Sequence, residues 1–467
     1  MVDIRHVVVL MLENRSFDQM LGMLYESGPG FDGLTGTESN FWHKPDGTRQ
    51  DVAVWKSPEL TPQVLRVPDP DPGELFTDIH AQIHGVADSA AMGGFVDNYM
   101  AQPPGGTPPD PAAVMHYFTP DQVPVLSQLA RAFGVSDRWH ASAPCQTWPN
   151  RFFAHAGTAN GRVNNSPTHF PYTMETVFDR LAGVGQDWRI YFHDIAQATT
   201  LARLWDDVFT RFHHFEEDFA ADAAAGRLPA YSFIEPRYFT DPVQRRVPND
   251  QHPPHDVAQG EALVAAVYNA LRSGPGWRNT LLIVTYDEHG GCYDHVLPPP
   301  ATPPDGVNPD GFTFDTFGVR VPAVIVSPYV RAGTVVRPPG PTPFDHTSII
   351  ATLRRLFGFA PLTARDAAAP DLLAALDPDP LNDGPPSVSA HPVEPSPAQV
   401  AALAAKPPND LQRSLSAAAV QLPTAGADVA AHVRRLGAVA DAAPVHATVA
   451  GAAADVAAHV RAFLGRN

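Results

Sequence analysis

Three short apolar runs constrain the fold of this chain more than any other feature of its sequence. They are HVVVLML at 6–12, TLLIVTY at 280–286 and VPAVIVSPYV at 321–330. Uninterrupted apolar character over so few residues is typical of strands that are buried on both faces of a parallel sheet. We therefore predict that these runs are core strands of one mostly parallel sheet.

Amphipathic helices are predicted between and after these strands. Apolar residues recur at helical spacing in 123–132, 256–271 and 347–357. The second of these patterns opens with Asp256 as an N-cap, and the third closes at Gly358. Alternation of strands and helices predicts the α/β fold class, with a large, mostly parallel sheet flanked by helices.

The composition of the chain divides it into three segments. Residues 1–378 are predicted to form the main, catalytic domain, 379–397 a Pro-rich linker, and 398–467 an Ala-rich helical C-terminal appendage. The fragment ADVAAHVR occurs at 427–434 and again at 454–461, which indicates a small helical repeat. No cluster of catalytic residue types lies in the appendage, so we expect it to pack on the main domain or to mediate assembly.

The charge and the apolar runs exclude some partners. The formal net charge is −18 at pH 7, and an acidic surface repels a phosphate backbone, so no nucleic-acid partner is expected. No run is long enough for a transmembrane segment. The N-terminus lacks a signal-peptide pattern, which predicts a soluble cytoplasmic chain, or a secreted or periplasmic one if a signal was removed. The oligomeric state stays open. For Cys145 and Cys292, two reduced thiols are favoured over one disulfide.

Four segments are rich in residue types that carry chemistry. They are LENRSFDQMLG at 12–22, APCQTWPNRFFAHAGTANG at 143–161, NDQHPPHD at 249–256 and TYDEHGGCYDHVLPPP at 285–300. Acidic residues of the first and last segments directly follow predicted strands, where ligands bind in open α/β sheets. Carboxylates, an amide, a hydroxyl and histidines together suit metal-assisted phosphoryl transfer.

The motifs ENRSFD, TWPNR and YDEHGG, in this order, resemble the bacterial phospholipase C and acid phosphatase phosphoesterase family. The resemblance extends from about residue 4 to about residue 358. It implies an alkaline-phosphatase-like fold and hydrolysis of phosphoric esters. Two activities fit the motifs equally well, namely phospholipase C-type cleavage of a diester, with a phospholipid as substrate, and acid-phosphatase-type cleavage of a monoester.

The resemblance also implies a site with one divalent metal cation. The expected ligands are Glu13, Asn14, Asp287, Glu288 and Thr147. Thr147 is also expected to be the nucleophile, which forms a phospho-threonine intermediate. Oxygen ligands favour Ca²⁺ or Mg²⁺, with Zn²⁺ as the alternative.

Further residues are assigned around the phosphoryl group. The histidines implied by the resemblance are His80, His252 and His214, with His193 as the competitor of His214. Asn150 and Arg151 are predicted either to bind phosphate oxygens or to hold the loop.

Some alternatives remain for other motifs and for the function. The pairs Asp294–His295 and Asp345–His346 form either a second metal site or carboxylate–histidine pairs that orient the first, and Ser327 is expected to be a turn or cap residue. The alternative function is a non-catalytic ligand- or metal-binding protein that retains the fold. A sulfatase is disfavoured, since Cys145 lies in CQTWPNR rather than in C-x-P-x-R.

Overall fold

The structure, a computed structural model, describes residues 2–85, 91–102, 109–390, 392–436 and 445–465. Its strands are β1 (His6–Leu12), β2 (Ser39–His43), β3 (Arg49–Ala53), β4 (Gly134–Ser136), β5 (Trp188–Phe192), β6 (Phe212–His214), β7 (Tyr231–Glu235), β8 (Thr280–Tyr286), β9 (Ala323–Val326) and β10 (Thr334–Val335). Its α-helices are α1 (Phe17–Leu21), α2 (Phe76–His84), α3 (Phe95–Ala101), α4 (Pro124–Ala132), α5 (Thr147–Ala156), α6 (Val177–Gly183), α7 (Val208–Arg211), α8 (Ala220–Ala224), α9 (Val257–Ser273), α10 (Thr347–Phe357), α11 (Ala364–Ala368), α12 (Pro397–Ala404), α13 (Asp410–Ala419), α14 (Val429–Leu436) and α15 (Val449–Phe463).

One large sheet organises the fold. Its eight strands lie in the order β10-β4-β9-β8-β1-β7-β5-β6. The run from β8 through β1, β7 and β5 to β6 is parallel throughout. β1 and β8 are buried along their length, as their apolar sequences predict. The predicted α/β class with a mostly parallel sheet is confirmed.

The third predicted strand has the wrong direction. The run at 321–330 was expected to be parallel, but its strand, β9, pairs antiparallel with both β8 and β4. Ser327 therefore lies at the amino end of β8, where its hydroxyl donates a hydrogen bond to the carbonyl of Thr280 at 2.8 Å. It is a turn residue, and it lies at the amino ends of β8 and β1, whereas Glu13 lies at their carboxyl ends.

The three helices expected from periodicity are present as α4, α9 and α10. The Asp256 carboxylate accepts a hydrogen bond from the backbone N–H of Ala258 and so caps α9. Helix α10 ends at Gly358, which has a φ of 78° and so adopts the left-handed conformation that glycine tolerates best. Cys145 and Cys292 are both buried, unpaired thiols.

The C-terminal helices share the main hydrophobic core. Leu411, Leu415, Val456 and Phe463 belong to the same buried apolar cluster as the central strands. Phe463 also packs edge-on against Trp205, with ring centroids 6.4 Å apart. The main domain and the described part of the appendage are therefore packed as one unit. In the ranges the structure describes, no helix has the length and apolar character needed to cross a bilayer.

Candidate active site

Two neighbouring strands bring the acidic motifs together. β1 and β8 are parallel and pair Leu12 with Tyr286, so the residues after each strand lie side by side. The backbone N–H of Asn14 donates to Asp287 Oδ1 at 3.0 Å. Asn14 has a φ of 54°, a left-handed conformation that asparagine tolerates better than most residues. A Cβ on Gly290 would lie 2.2 Å from the Asn14 carbonyl oxygen, so this approach requires glycine.

Thr147 opens α5 and faces these residues. Its hydroxyl oxygen is 3.4 Å from Glu13 Oε2 and 3.5 Å from Asn14 Oδ1. Only 1% of Thr147 is exposed. The side chain of Asn150 lies behind it and bonds to the backbone of the loop that precedes α5, at Ala143, Cys145 and Gln146. Of the two roles predicted for Asn150, these contacts favour the one of holding the loop.

The residues around Thr147 suit a hard cation. Asp287 Oδ2 is buried and has no hydrogen-bond partner among the residues that the structure describes. Burial raises the pKa of Glu13 well above its ordinary value, Arg151 opposes this, and the nearby Asp287 carboxylate raises it further. Two buried carboxylates that repel each other are costly unless a cation neutralises them. Glu13 Oε2, Asn14 Oδ1 and a carboxylate oxygen of Asp287 would supply the kind of oxygen donors that Ca²⁺ or Mg²⁺ prefers.

Glu288 uses its carboxylate differently from Asp287. Its Oε1 accepts from Asn14 Nδ2 at 2.9 Å, and its Oε2 accepts from the backbone N–H of Gly290 at 2.8 Å. These bonds hold the amide of Asn14 so that its oxygen faces Thr147. In this arrangement Glu288 orients a metal ligand, and the role of direct ligand that was expected for it stays a prediction.

Glu74 was not identified from the sequence and lies in the site. Its Oε1 accepts from Asn14 Nδ2 at 2.7 Å, and only 7% of the residue is exposed. Asn14 therefore has two carboxylate acceptors for its amide group. The segment that carries Glu74 is Pro-rich and lacks helical or strand periodicity, so its sequence gave no signal of this contact.

His252 is the predicted histidine that reaches the site. Its Nδ1 is 2.6 Å from the carbonyl of Pro253, and its Nε2 is 3.2 Å from Asn14 Nδ2 and 3.5 Å from Glu74 Oε1. Burial alone would lower its pKa, but Glu74 and Asp71 outweigh burial and raise the pKa well above its ordinary value. A cationic His252 thus lies beside the two acidic residues and the Asn14 amide.

The other predicted histidines have different surroundings. His80 is exposed on α2, and its ring is tilted by 46° against that of His84, with ring centroids 4.3 Å apart. His193 follows β5 and His214 ends β6, and both line a cavity of about 620 Å³ beside α15. Strands are spaced by about 4.8 Å, so these two positions are roughly 10 and 14 Å from β1 along the sheet. The hydrogen bonds given for the Thr147 hydroxyl are to Glu13 and Asn14. The roles that the resemblance implies for His80, His193 and His214 stay predictions.

Arg151 is directed at Glu13. Its Nη2 is 2.5 Å from Glu13 Oε1 and its Nη1 is 3.2 Å from Glu235 Oε2. The guanidinium is 1% exposed and also donates to the carbonyl of Met11. These contacts favour a role in holding the site over the predicted contact with phosphate oxygens.

An arginine occupies the centre of the Asp294–His295 cluster. Arg320 donates to Asp18 Oδ1 at 2.8 Å and to Asp294 Oδ1 at 3.0 Å, while His295 Nδ1 is 2.6 Å from Asp18 Oδ2. The guanidinium supplies the positive charge that a second metal would have provided. The cluster therefore fastens the ENRSFD helix α1 to the YDHV segment.

The second Asp-His pair supports the site through the backbone. His346 Nε2 is 2.6 Å from the carbonyl oxygen of Asp287 and its Nδ1 accepts from the indole N–H of Trp139. Asp345 accepts from the hydroxyl of Thr347 and so helps to open α10. Both pairs thus fit the alternative of orienting residues better than that of metal ligands.

His295 should make stability depend on pH. Burial would lower its pKa, but hydrogen bonds with Asp18 and Asp32 raise it to about 10. Because the folded pKa exceeds the unfolded value near 6.5, the stabilisation is complete below about pH 6.5 and is lost as pH rises through about 10. We expect His295→Gln to lower the free energy of unfolding by about 1.5–3 kcal/mol near pH 6, and by much less above pH 10.

Urea unfolding across this pH range measures the effect. His6→Gln is the control, since the ring of His6 bonds the backbone carbonyl of Pro229 and, among the described residues, forms no ion pair with a carboxylate. A difference in the free energy of unfolding between wild type and His295→Gln that stays constant with pH would contradict the raised pKa of His295.

Sequence comparisons identify the family of the chain. The model of the phosphoesterase family matches residues 4–360. Non-specific phospholipase C1 of Arabidopsis thaliana is 41% identical over 385 residues, which cover 78% of this chain and 69% of that protein. Phospholipase C A of Mycobacterium tuberculosis is 30% identical over 438 residues, which cover 84% of this chain and 81% of that protein.

A solved structure gives a weaker match. The structure of a protein in the alkaline phosphatase superfamily from Vibrio parahaemolyticus is 14% identical, covers 53% of this chain and 64% of its own, and has a TM-score of 0.34. That score is too low to argue from. The family model and the relatives show that the chain belongs to the phosphoesterase family, as a hydrolase of phosphoric esters.

Proposed function

We propose that this phosphoesterase cleaves phospholipid diesters by transferring the phosphoryl group to Thr147. One observation carries the proposal. The Thr147 hydroxyl lies 3.4 Å from Glu13 Oε2 and 3.5 Å from Asn14 Oδ1 at the carboxyl end of β1, and Asp287 Oδ2 has no hydrogen-bond partner among the described residues. The phospholipase C names of the relatives favour a diester, and acid-phosphatase-type cleavage of a monoester is the second candidate.

Glu13, Asn14 and Asp287 would hold one divalent cation, with Thr147 and Glu288 as the remaining expected ligands. Bound there, the cation would lower the cost of ionising the Thr147 hydroxyl and offset charge on the phosphoryl group. Ca²⁺ and Mg²⁺ suit these oxygens best, and Zn²⁺ remains the alternative.

Thr147 carries the covalent step in this proposal. Its hydroxyl loses its proton to water, and its oxygen forms a bond to phosphorus while the bond from phosphorus to the leaving alcohol oxygen breaks. Its place at the start of α5 favours negative charge there, because the helix dipole is positive at its N-terminus. Water then attacks the phospho-threonine, the bond to Thr147 breaks, and the hydroxyl is regenerated.

His252 is the proposed donor of the proton that the leaving oxygen takes. Its Nδ1–H is held by the Pro253 carbonyl, so Nε2 is the nitrogen that faces the site. Nitrophenolate leaves without a proton, whereas an alkoxide needs one. His252→Asn should therefore lose more activity on an alkyl ester than on a nitrophenyl ester, and equal losses would make His252 a binding residue.

The test of function compares two substrates with and without chelator. A phosphocholine diester and nitrophenyl phosphate are offered to the purified protein, before and after treatment with EDTA. We expect diester cleavage that EDTA abolishes and that one of Ca²⁺, Mg²⁺ or Zn²⁺ restores. Cleavage of the monoester alone would favour the acid phosphatase, and full activity in metal-free protein would contradict the cation.

A further inference from the structure

A buried chain of contacts links Glu13 to the C-terminal helix α13. Arg151 joins Glu13 Oε1 to Glu235 Oε2, at 2.5 and 3.2 Å. The hydroxyl of Tyr238 donates to the same Glu235 Oε2 at 2.7 Å, and the side-chain amide of Gln412 donates to the backbone carbonyl of Tyr238 at 2.7 Å. The most exposed of these residues, Gln412, has only 3% of its surface accessible.

Glu235 positions the two side chains that donate hydrogen bonds to Glu13 Oε1. The first donor is Arg151, which Glu235 pairs with directly. The second is the amide of Gln197, which donates to Glu13 Oε1 at 2.7 Å. Glu235 Oε1 accepts from the backbone N–H of Ala198 at 3.0 Å and so fixes the segment that carries Gln197. With Oε1 held twice, the other oxygen of Glu13 is left to face Thr147.

We propose that Glu235 and Tyr238 are positioning residues for Glu13, and that the C-terminal helix α13 takes part in this positioning through Gln412. The inference rests on the proposed function, in which Glu13 binds the cation. Among the described residues, the hydrogen bonds of the Thr147 hydroxyl go to Glu13 and Asn14, so Glu235 and Tyr238 act through Arg151 and Gln197. Residues that orient metal ligands in this way typically change metal affinity or activity by about 10- to 100-fold when they are replaced.

The C-terminal segment therefore contributes to the site as well as to the core. Gln412 satisfies a carbonyl in a place where no water reaches, because Tyr238 is fully buried. Helix α13 is itself held against the main domain by Leu411 and Leu415. A substitution at Gln412 would leave the carbonyl unpaired and loosen the turn that carries Tyr238.

Tyr238→Phe is the first test, because it removes one hydroxyl and keeps the ring. Its control is Tyr268→Phe, which removes a buried hydroxyl that bonds the carbonyl of Pro385 and is not part of the chain of contacts to Glu13. Titration calorimetry with Mg²⁺ and Ca²⁺ alone gives the cation affinity. We expect Tyr238→Phe to weaken that affinity about 10-fold and to lower kcat more than it raises KM, whereas Tyr268→Phe changes neither.

Gln412→Leu tests the contribution of the C-terminal helix. Gln421→Leu is its control, since Gln421 is a similarly buried amide of the same region that bonds the carbonyls of Ala417 and Pro167. Thermal unfolding in EDTA is measured for all four variants, to separate positioning from loss of stability. We expect Gln412→Leu to weaken cation affinity by about 3- to 10-fold at a loss of stability equal to that of Gln421→Leu.

The outcomes separate this inference from the proposed function. A wild-type protein that binds no divalent cation would overturn the proposed function and the inference built on it. Wild-type binding that Tyr238→Phe leaves unchanged, or that Tyr268→Phe weakens equally, would overturn the inference alone. If Tyr238→Phe does not fold, the comparison of Gln412→Leu with Gln421→Leu decides, and equal affinities would overturn it.

Discussion

Replacing Thr147 by valine is expected to reduce ester hydrolysis by at least about 10³-fold, because removal of a nucleophile abolishes the covalent step. Valine has nearly the shape of threonine, and the hydroxyl makes only long contacts, 3.4 and 3.5 Å, to Glu13 and Asn14. The fold should therefore be unaffected. Initial rates on the diester, together with circular dichroism and thermal unfolding, measure both parts of the prediction.

Two variants control this experiment. Thr147→Ser keeps a hydroxyl and should retain turnover. Thr352→Val removes another buried hydroxyl, which bonds the carbonyl of Ser348 at 2.7 Å on α10, and should cost stability but spare turnover. Wild-type protein quenched during turnover of the phosphocholine diester should carry the phosphocholine group, bonded through phosphorus to the Thr147 oxygen, as detected by mass spectrometry. Near-normal turnover of Thr147→Val would exclude the phospho-threonine mechanism.

The core strands were predictable because a strand that is buried on both faces has an apolar sequence. The predicted runs 6–12 and 280–286 coincide with β1 and β8, whose two faces are both covered. The direction of a strand, in contrast, cannot be read from its apolar residues. An apolar run has the same composition whichever way it points, and β9 is antiparallel because the long segment after β8 returns to the opposite edge. That segment contains too few periodic residues to show its course.

The site was predictable where its residues adjoin a strand. Glu13 and Asp287 each follow a buried strand directly, so their meeting at one edge follows from the parallel pairing of β1 and β8. Glu74 enters from an irregular Pro-rich segment, and only the tertiary fold brings it to Asn14. Six residues later, His80 lies on the exposed face of α2, and the role that the resemblance implies for it stays a prediction.

The position of Glu235 at the end of a short strand is a feature from which its place in the site could have been predicted. It ends YSFIE, a short strand in which all five residues are buried and which pairs with β1. An acidic residue at the carboxyl end of a strand next to β1 belongs to the same edge as Glu13. The strand was not predicted because Ser232 and Glu235 interrupt its apolar character, and both are buried through tertiary contacts.

Asp287→Asn is expected to abolish activity and to stabilise the metal-free protein. Activity and cation affinity should each fall at least about 10²-fold, since a neutral amide replaces a charged oxygen ligand. Asp287 Oδ1 accepts from the backbone N–H groups of Asn14 and Glu288, and the amide oxygen of asparagine can keep both bonds. The new amide group would replace Oδ2, the buried oxygen without a partner in the described structure.

The stability gain follows from the repulsion between two buried acids. Asp287 raises the pKa of Glu13, in addition to the larger effects of burial and against the pull of Arg151. Removing one of the two charges should raise the free energy of unfolding in EDTA by about 1–3 kcal/mol. Asp294→Asn is the matched contrast, because Asp294 is just as buried but pairs with Arg320 at 3.0 Å. That variant should lose stability, since it leaves the guanidinium with less compensation.

Urea unfolding in EDTA, with and without a later excess of Ca²⁺ or Mg²⁺, measures the signs of both effects. In the presence of the cation, wild type should be more stable than Asp287→Asn, because only wild type gains the binding energy of the cation. A metal-free Asp287→Asn protein that is less stable than wild type would mean that the Asp287 charge is satisfied within the protein. The site would then lack the uncompensated charge that makes a cation necessary, and the metal-dependent mechanism would lose its physical basis.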